Sequence, residues 1–191
     1  MRYKSSPSRK NAKPKSSMRS VIVALWVTIL TGCAAPASID RMSVSLPISK
    51  TNPALKNNIG VSDVTGGRET NPMWTSQVSS EGFRSALEKS LENTQMLSKI
   101  VSAGKYQLTA DLSRLDQPFI GLDMTVSATV RYSLVETKTR KEVYTRVIQS
   151  SHTASFSDSV LGPERLKIAN EGAIKNNIQV LIEDLSTLKP N

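Results

Sequence analysis

The chain has 191 residues, with 25 Lys and Arg against 16 Asp and Glu, one Cys and one His, for a formal net charge of +9. One histidine and one cysteine exclude the usual zinc ligand sets and any disulfide within the chain. The charge suggests nucleic acid only until it is divided: residues 1–32 hold seven basic side chains and no acidic one, which leaves 18 basic against 16 acidic, about +2 and scattered, so the footprint of a nucleic-acid binder is absent.

Val21 to Leu30 is a run of ten uncharged, mostly apolar residues, preceded by Arg19 and followed by Thr31-Gly32-Cys33-Ala34. Basic flank, apolar stretch and small-residue cleavage site follow in the order of a secretory signal. A ten-residue helix rises only about 15 Å, whereas the hydrocarbon core needs about 20 residues. Residues 1–32 therefore read as a removable signal peptide rather than a permanent span. Met18-Arg19-Ser20 directly before the apolar run offers a second translation start, and Met1 and Met18 both fit.

Cys33 read from the residues alone is a small apolar side chain, half of a disulfide with no second cysteine, or a modified thiol. The sequence Leu30-Thr31-Gly32-Cys33 resembles the lipobox of bacterial lipoproteins. That resemblance implies diacylglycerol on the Cys33 sulfur, cleavage after Gly32 and acylation of the new amino terminus. Ala34 stands where an Asp would favour inner-membrane retention in enteric bacteria, which implies a place on the periplasmic side of the outer membrane.

Residues 33–56 carry Pro36, Pro47 and Pro53 among many small polar residues. They read as a lipidated amino terminus and extended tether, with Met42 to Leu46 a candidate edge strand. Residues 57–191 then form a single domain large enough to bury a core without disulfides.

Asn58 to Val64 reads as a strand ended by Gly66-Gly67, a turn signal. Ser79 is a suitable helix cap, and Phe83, Leu87 and Leu91 at fourfold spacing make an amphipathic helix. Lys105 to Leu115 alternates, with Tyr106, Leu108, Ala110 and Leu112 on one face. Leu122, Met124, Val126, Ala128, Val130, Tyr132 and Leu134 repeat the pattern over seven matches. A hairpin at Thr137 to Lys141 leads to a strand over Glu142 to Thr153, where adjacent Val147 and Ile148 blur the alternation. Gly162-Pro163 opens a last helix with Ala169, Ala173, Ile174, Ile178, Leu181, Leu185 and Leu188 on its apolar face.

The order is β-α-β-β-β-α, and one polar face per strand predicts an α+β fold: an antiparallel sheet of about four strands covered on one face by two helices. Over roughly Asn58 to Leu188 this topology resembles small envelope lipoproteins, those of lipopolysaccharide assembly and the auxiliary lipoproteins of lipid-transporting ABC systems. The resemblance implies a non-catalytic accessory that docks on a transport or assembly protein.

Chemistry is sparse. His152 beside Ser150 and Ser151 lacks the Gly-x-Ser-x-Gly turn of a hydrolase and reads as a polar residue on a strand's outer face. No catalytic, cofactor or metal residues are expected, and the acidic residues form no EF-hand pattern. Two loops carry apolar residues where polar ones would serve, Pro72-Met73-Trp74 and Pro118-Phe119-Ile120-Gly121. Either closes an end of the core, or Trp74 and Phe119 contribute to a contact surface for an envelope partner or the membrane. The sequence therefore reads as a lipid-anchored, non-enzymatic adaptor or accessory factor. The alternative is a carrier holding a hydrophobic ligand between sheet and helices, which needs an internal apolar cavity of roughly 300 Å³ or more.

Overall fold

Alternating side chains build the sheet. In a computed structural model that describes residues 34–45, 52–72 and 75–190, strands β1 (Ile59–Thr65), β2 (Tyr106–Asp116), β3 (Met124–Glu136) and β4 (Glu142–Ala154) lie side by side in that order. The fold is α+β, as the patterning predicts. β2, β3 and β4 pair antiparallel, with Leu108 opposite Leu134 and Val130 opposite Ile148. The all-antiparallel expectation fails at β1, which runs parallel to β2 with Val61 opposite Leu108. The connection from residue 66 to 105 carries a helix back to the starting end of the sheet, as a parallel pair requires.

That helix, α2 (Ser80–Asn93), begins as predicted: the Ser79 side chain accepts the Gly82 N–H at 3.0 Å. It buries Phe83, Ala86, Leu87 and Leu91. The long helix α3 (Gly162–Thr187) has Pro163 in its first turn and buries Ala169, Ala173, Ile174, Ile178, Leu181 and Leu185. Both lie on one face of the sheet, where the edge-on rings of Phe83 and Tyr132 meet with centroids 6.5 Å apart. The opposite sheet face carries polar residues such as Thr125, Thr129, Arg131 and Gln149.

Gly66 has φ +81° and ends β1, and a β-carbon there would overlap the Leu112 carbonyl of β2. Glycine is thus required both by conformation and by close approach.

The segment expected to be a tether is packed over its described part. A short helix, α1 (Ile39–Met42), contacts both α2 and α3. Met42, Val44 and Leu55 are buried with the core. The predicted strand from Met42 does not form: Met42 ends α1, and Val44 is held by side chains rather than by a strand. Its N–H donates to Ser90 Oγ at 3.0 Å and its carbonyl accepts from Asn93 Nδ2 at 3.0 Å. Asn52 Nδ2 donates to the carbonyls of Leu185 and Leu188, closing the open end of α3. Residue 46 lies outside the described residues.

Candidate functional site

At the end of the sheet where β2 and β4 finish and β3 and α3 begin, two loops meet. Residues 117–123 expose Phe119 (97%), Ile120 (85%) and Leu122 (74%). Residues 155–161 add Val160 (72%), Leu161 and Phe156, each at least half exposed. Among the described residues the other exposed large apolar side chains, Ile39, Ile100 and Val147, are scattered, so the concentration of six at one end defines a patch.

Polar anchoring holds the loops in this outward position. Arg165, almost wholly buried beneath them, donates from one Nη to the Ser159 carbonyl at 2.7 Å and from the other to the Gly121 carbonyl at 3.2 Å. Its guanidinium also lies over the Phe156 ring. The Phe156 N–H donates to Asp123 Oδ1 at 3.2 Å, a second link between the loops. Ser155 donates its N–H and hydroxyl to Asp158, which holds that carboxyl below its ordinary range, the N–H contributing most.

The first described residues lie at this same end. The Ala34 N–H donates to the Pro72 carbonyl at 2.8 Å, and Ser76 Oγ donates to the Ala35 carbonyl at 2.8 Å. Ser76 in turn accepts, at its carbonyl, from Gln117 Nε2 at 3.0 Å, and Gln117 opens the loop that carries Phe119.

Phe119 thus stands in solvent, and the reading that its loop folds back to close the core is set aside. Leu122, expected on the buried face of β3, is exposed because the strand begins only at Met124 and Asp123 faces the neighbouring loop. Phe156, Val160 and Leu161 were missed by sequence reasoning. Their signal is three large apolar residues in the otherwise Ser- and Asp-rich stretch Ser155 to Leu161. Cys33 and Trp74 lie outside the described residues.

His152 faces the helices, not the outer side. It pairs opposite the buried Val126 and packs against α3 so closely that a β-carbon at Gly172 would overlap its ring. Around it, β4 and α3 meet through polar groups. Tyr132 donates to Asn177 Oδ1 at 2.9 Å, and Asn177 donates to the Ile148 carbonyl and Ser150 Oγ. Tyr144 and Arg146 both donate to Asp184. Burial raises the Tyr132 and Tyr144 hydroxyls well above the ordinary tyrosine value, with the Asp184 charge adding to the shift at Tyr144. These bonds fasten α3 to the inner strand β3 and the edge strand β4. Glu171 accepts the Ser38 N–H at 2.8 Å, and its carboxyl is raised, chiefly by burial.

Cavities open on the surface. One of about 350 Å³ lies on the open sheet face, lined by Arg114, Asp116, Ser127, Thr129, Gln149 and Ser151 among others. Another of about 380 Å³ lies at the opposite end of the sheet, between Gly104 and Lys138. Among the described residues no three His, Cys, Asp or Glu gather as a metal site, and no helix is long and apolar enough to cross a membrane.

No family model and no curated protein matches the sequence. Among solved structures the chain is similar to protein XCC0632 from Xanthomonas campestris, of family DUF330, at TM-score 0.55 and 11% identity, covering 80% of this chain and 94% of that one. A lipoprotein candidate from Caulobacter crescentus matches at TM-score 0.48 and 17% identity, covering 70% and 91%. A minor lipoprotein from Acinetobacter baumannii matches at 0.43 and 10%, covering 69% and 93%. What the chain shares with XCC0632 is its fold, and the apolar tip is described from this chain alone.

Proposed function

We propose that the chain is a lipid-anchored, non-enzymatic cell-envelope protein that acts by contact, as an adaptor or accessory factor for transport or assembly on the periplasmic side of the outer membrane. The observation that carries this reading is the pair of braced loops presenting Phe119 and its apolar neighbours to solvent. The lipobox at Leu30 to Cys33 supplies the anchor. Phe119 belongs to the contact surface in this reading, and Trp74 is its proposed companion. The rival carrier is less favoured: the space between sheet and helices is filled by side chains such as Tyr132, Phe83, Met42 and Leu87, and the cavities noted above are lined by surface groups.

Two measurements test the reading. The mass of the mature protein should show acylated Cys33 at its amino terminus. Photocrosslinking in intact cells from Gln149 on the open sheet face and from Phe119 in the tip should recover an envelope protein from at least one of the two positions. Recovery of lipid alone, from a position facing the sheet–helix interior such as Ile148, would favour the carrier.

A further inference from the structure

We propose that the tip formed by Phe119, Ile120, Leu122, Phe156, Val160 and Leu161 enters the phospholipid leaflet that holds the Cys33 acyl chains, so that the domain stands on the membrane at two points. The inference rests on the lipid-anchored reading and adds what the tip touches.

Chain continuity selects this occupant. Cys33 is one peptide unit, about 3.8 Å between α-carbons, from Ala34. Ala34 and Ala35 are bonded to the loop at Pro72 and Ser76, and Ser76 is bonded to Gln117, two residues before Phe119. An acyl chain leaving Cys33 therefore starts from the end of the domain that carries the exposed apolar side chains. A leaflet reached by that chain is the nearest large apolar phase to the tip.

The chemistry of the loops fits shallow insertion. Residues 117–123 and 155–161 contain no Lys or Arg, and their two acids, Asp123 and Asp158, accept bonds from Phe156 and Ser155. Attraction is then by burial of apolar surface rather than by charge, and anionic lipid is not needed. The buried Arg165 ties both loops to α3, so the six side chains present a fixed surface rather than a loose tail. With the tip in the headgroup region, the strands run away from the membrane. The hairpin at Thr137 to Lys141 then points into the periplasm, and the polar sheet face stays open to a protein partner.

The test uses the full-length lipidated protein in phosphatidylcholine vesicles. Cys33 is the only cysteine and its sulfur is consumed by the anchor, so Phe119→Cys or Lys138→Cys supplies a single thiol for an environment-sensitive fluorophore. The label at 119 should shift to the blue and lose most of its emission to lipid-borne quenchers, unchanged by salt or by added phosphatidylglycerol. The label at 138 should do neither. A Val160→Cys label should lose its quenching when Phe119, Ile120 and Leu122 are all changed to Ser, with the thermal midpoint unchanged because those side chains are exposed.

A lipidated protein whose 119 label stays in water overturns this proposal and leaves the anchor standing. A mature mass lacking acyl groups defeats the anchor and this proposal with it. Shielding of the label in detergent together with a dimeric mass would assign the tip to a second copy. Shielding in native envelopes but not in vesicles would assign it to a protein partner. Either of these last results overturns the proposal.

Discussion

The guanidinium carbon of Arg165 lies 5.3 Å from the centre of the Phe156 ring, while its Nη atoms bond the carbonyls of Ser159 and Gly121. One side chain on α3 thereby holds both loops of the apolar tip. Truncation to Ala should cost about 1–3 kcal/mol, since it strips two part-buried carbonyls of a charged donor. Hydrogen exchange should show the loss of order concentrated in residues 119–123 and 156–161. Uniform loss of protection across the sheet would mean that Arg165 serves the core as a whole.

Gly172 and His152 test how α3 seats on β4. Alanine in a helix interior is favoured over glycine by about 0.5–1 kcal/mol, yet a β-carbon here overlaps the imidazole. Gly172→Ala should therefore destabilise by about 1–3 kcal/mol through overpacking. Combined with His152→Ala it should recover most of that loss in a double-mutant cycle of denaturant unfolding. Simple additivity of the two changes would show that they do not touch.

Tyr132 and Asn177 join the centre of the sheet to α3 at 2.9 Å. Asn177→Leu leaves the Tyr132 hydroxyl and the Ile148 carbonyl without this partner and should cost about 1–3 kcal/mol for each buried group that water does not reach. Tyr132→Phe removes donor and need together and should cost less. The order of the two midpoints in urea is the measurement.

Glu171 gives a pH signature. Its carboxyl is raised above the ordinary 4.5, first by burial, with the Ser38 N–H and the charges of Lys167 and Arg41 pulling the other way. The folded protein thus binds the proton more tightly than the unfolded chain. Its contribution is fully present below the ordinary value and is lost as pH rises through the folded one. Glu171→Gln should lose this dependence, so its stability relative to the parent should improve from acid toward neutral pH. Parallel curves for the two proteins would contradict the raised carboxyl.

Met42 decides whether the amino-terminal segment belongs to the domain. It is fully buried, so Met42→Ala should cost about 2–5 kcal/mol in thermal or denaturant unfolding. A free tether would show no change.

The alternation in β2 and β3 was legible because each strand has one solvated face, and exposure imprints a period of two on the residues. The same pattern carries no record of partner direction, so the parallel pairing of β1 was not. At Val147 and Ile148 the pattern was ambiguous. Pairing resolved it, setting Ile148 inward opposite Val130 and Val147 outward opposite Arg131. That choice also turned His152 inward, four residues further along. Residues 34–56 misled because Met42, Val44 and Leu55 have no shared period, and proline and serine between them suggest a tether. Phe119 was legible as an apolar loop residue, but neither its exposure nor its company was.

By itself the sequence determined the alternating strands, the two amphipathic helices with their Ser79 and Pro163 starts, and the likeness of Leu30 to Cys33 to a lipobox, because each is written in residues near one another in the chain. Tertiary structure alone decided which way β1 runs and where residues 34–45 pack. It also brought Phe119, Phe156 and the first described residues, Ala34 and Ala35, to one end of the sheet. Those outcomes depend on contacts between residues far apart in sequence, such as Gly121 with Arg165 and Ala35 with Ser76, that no local pattern encodes.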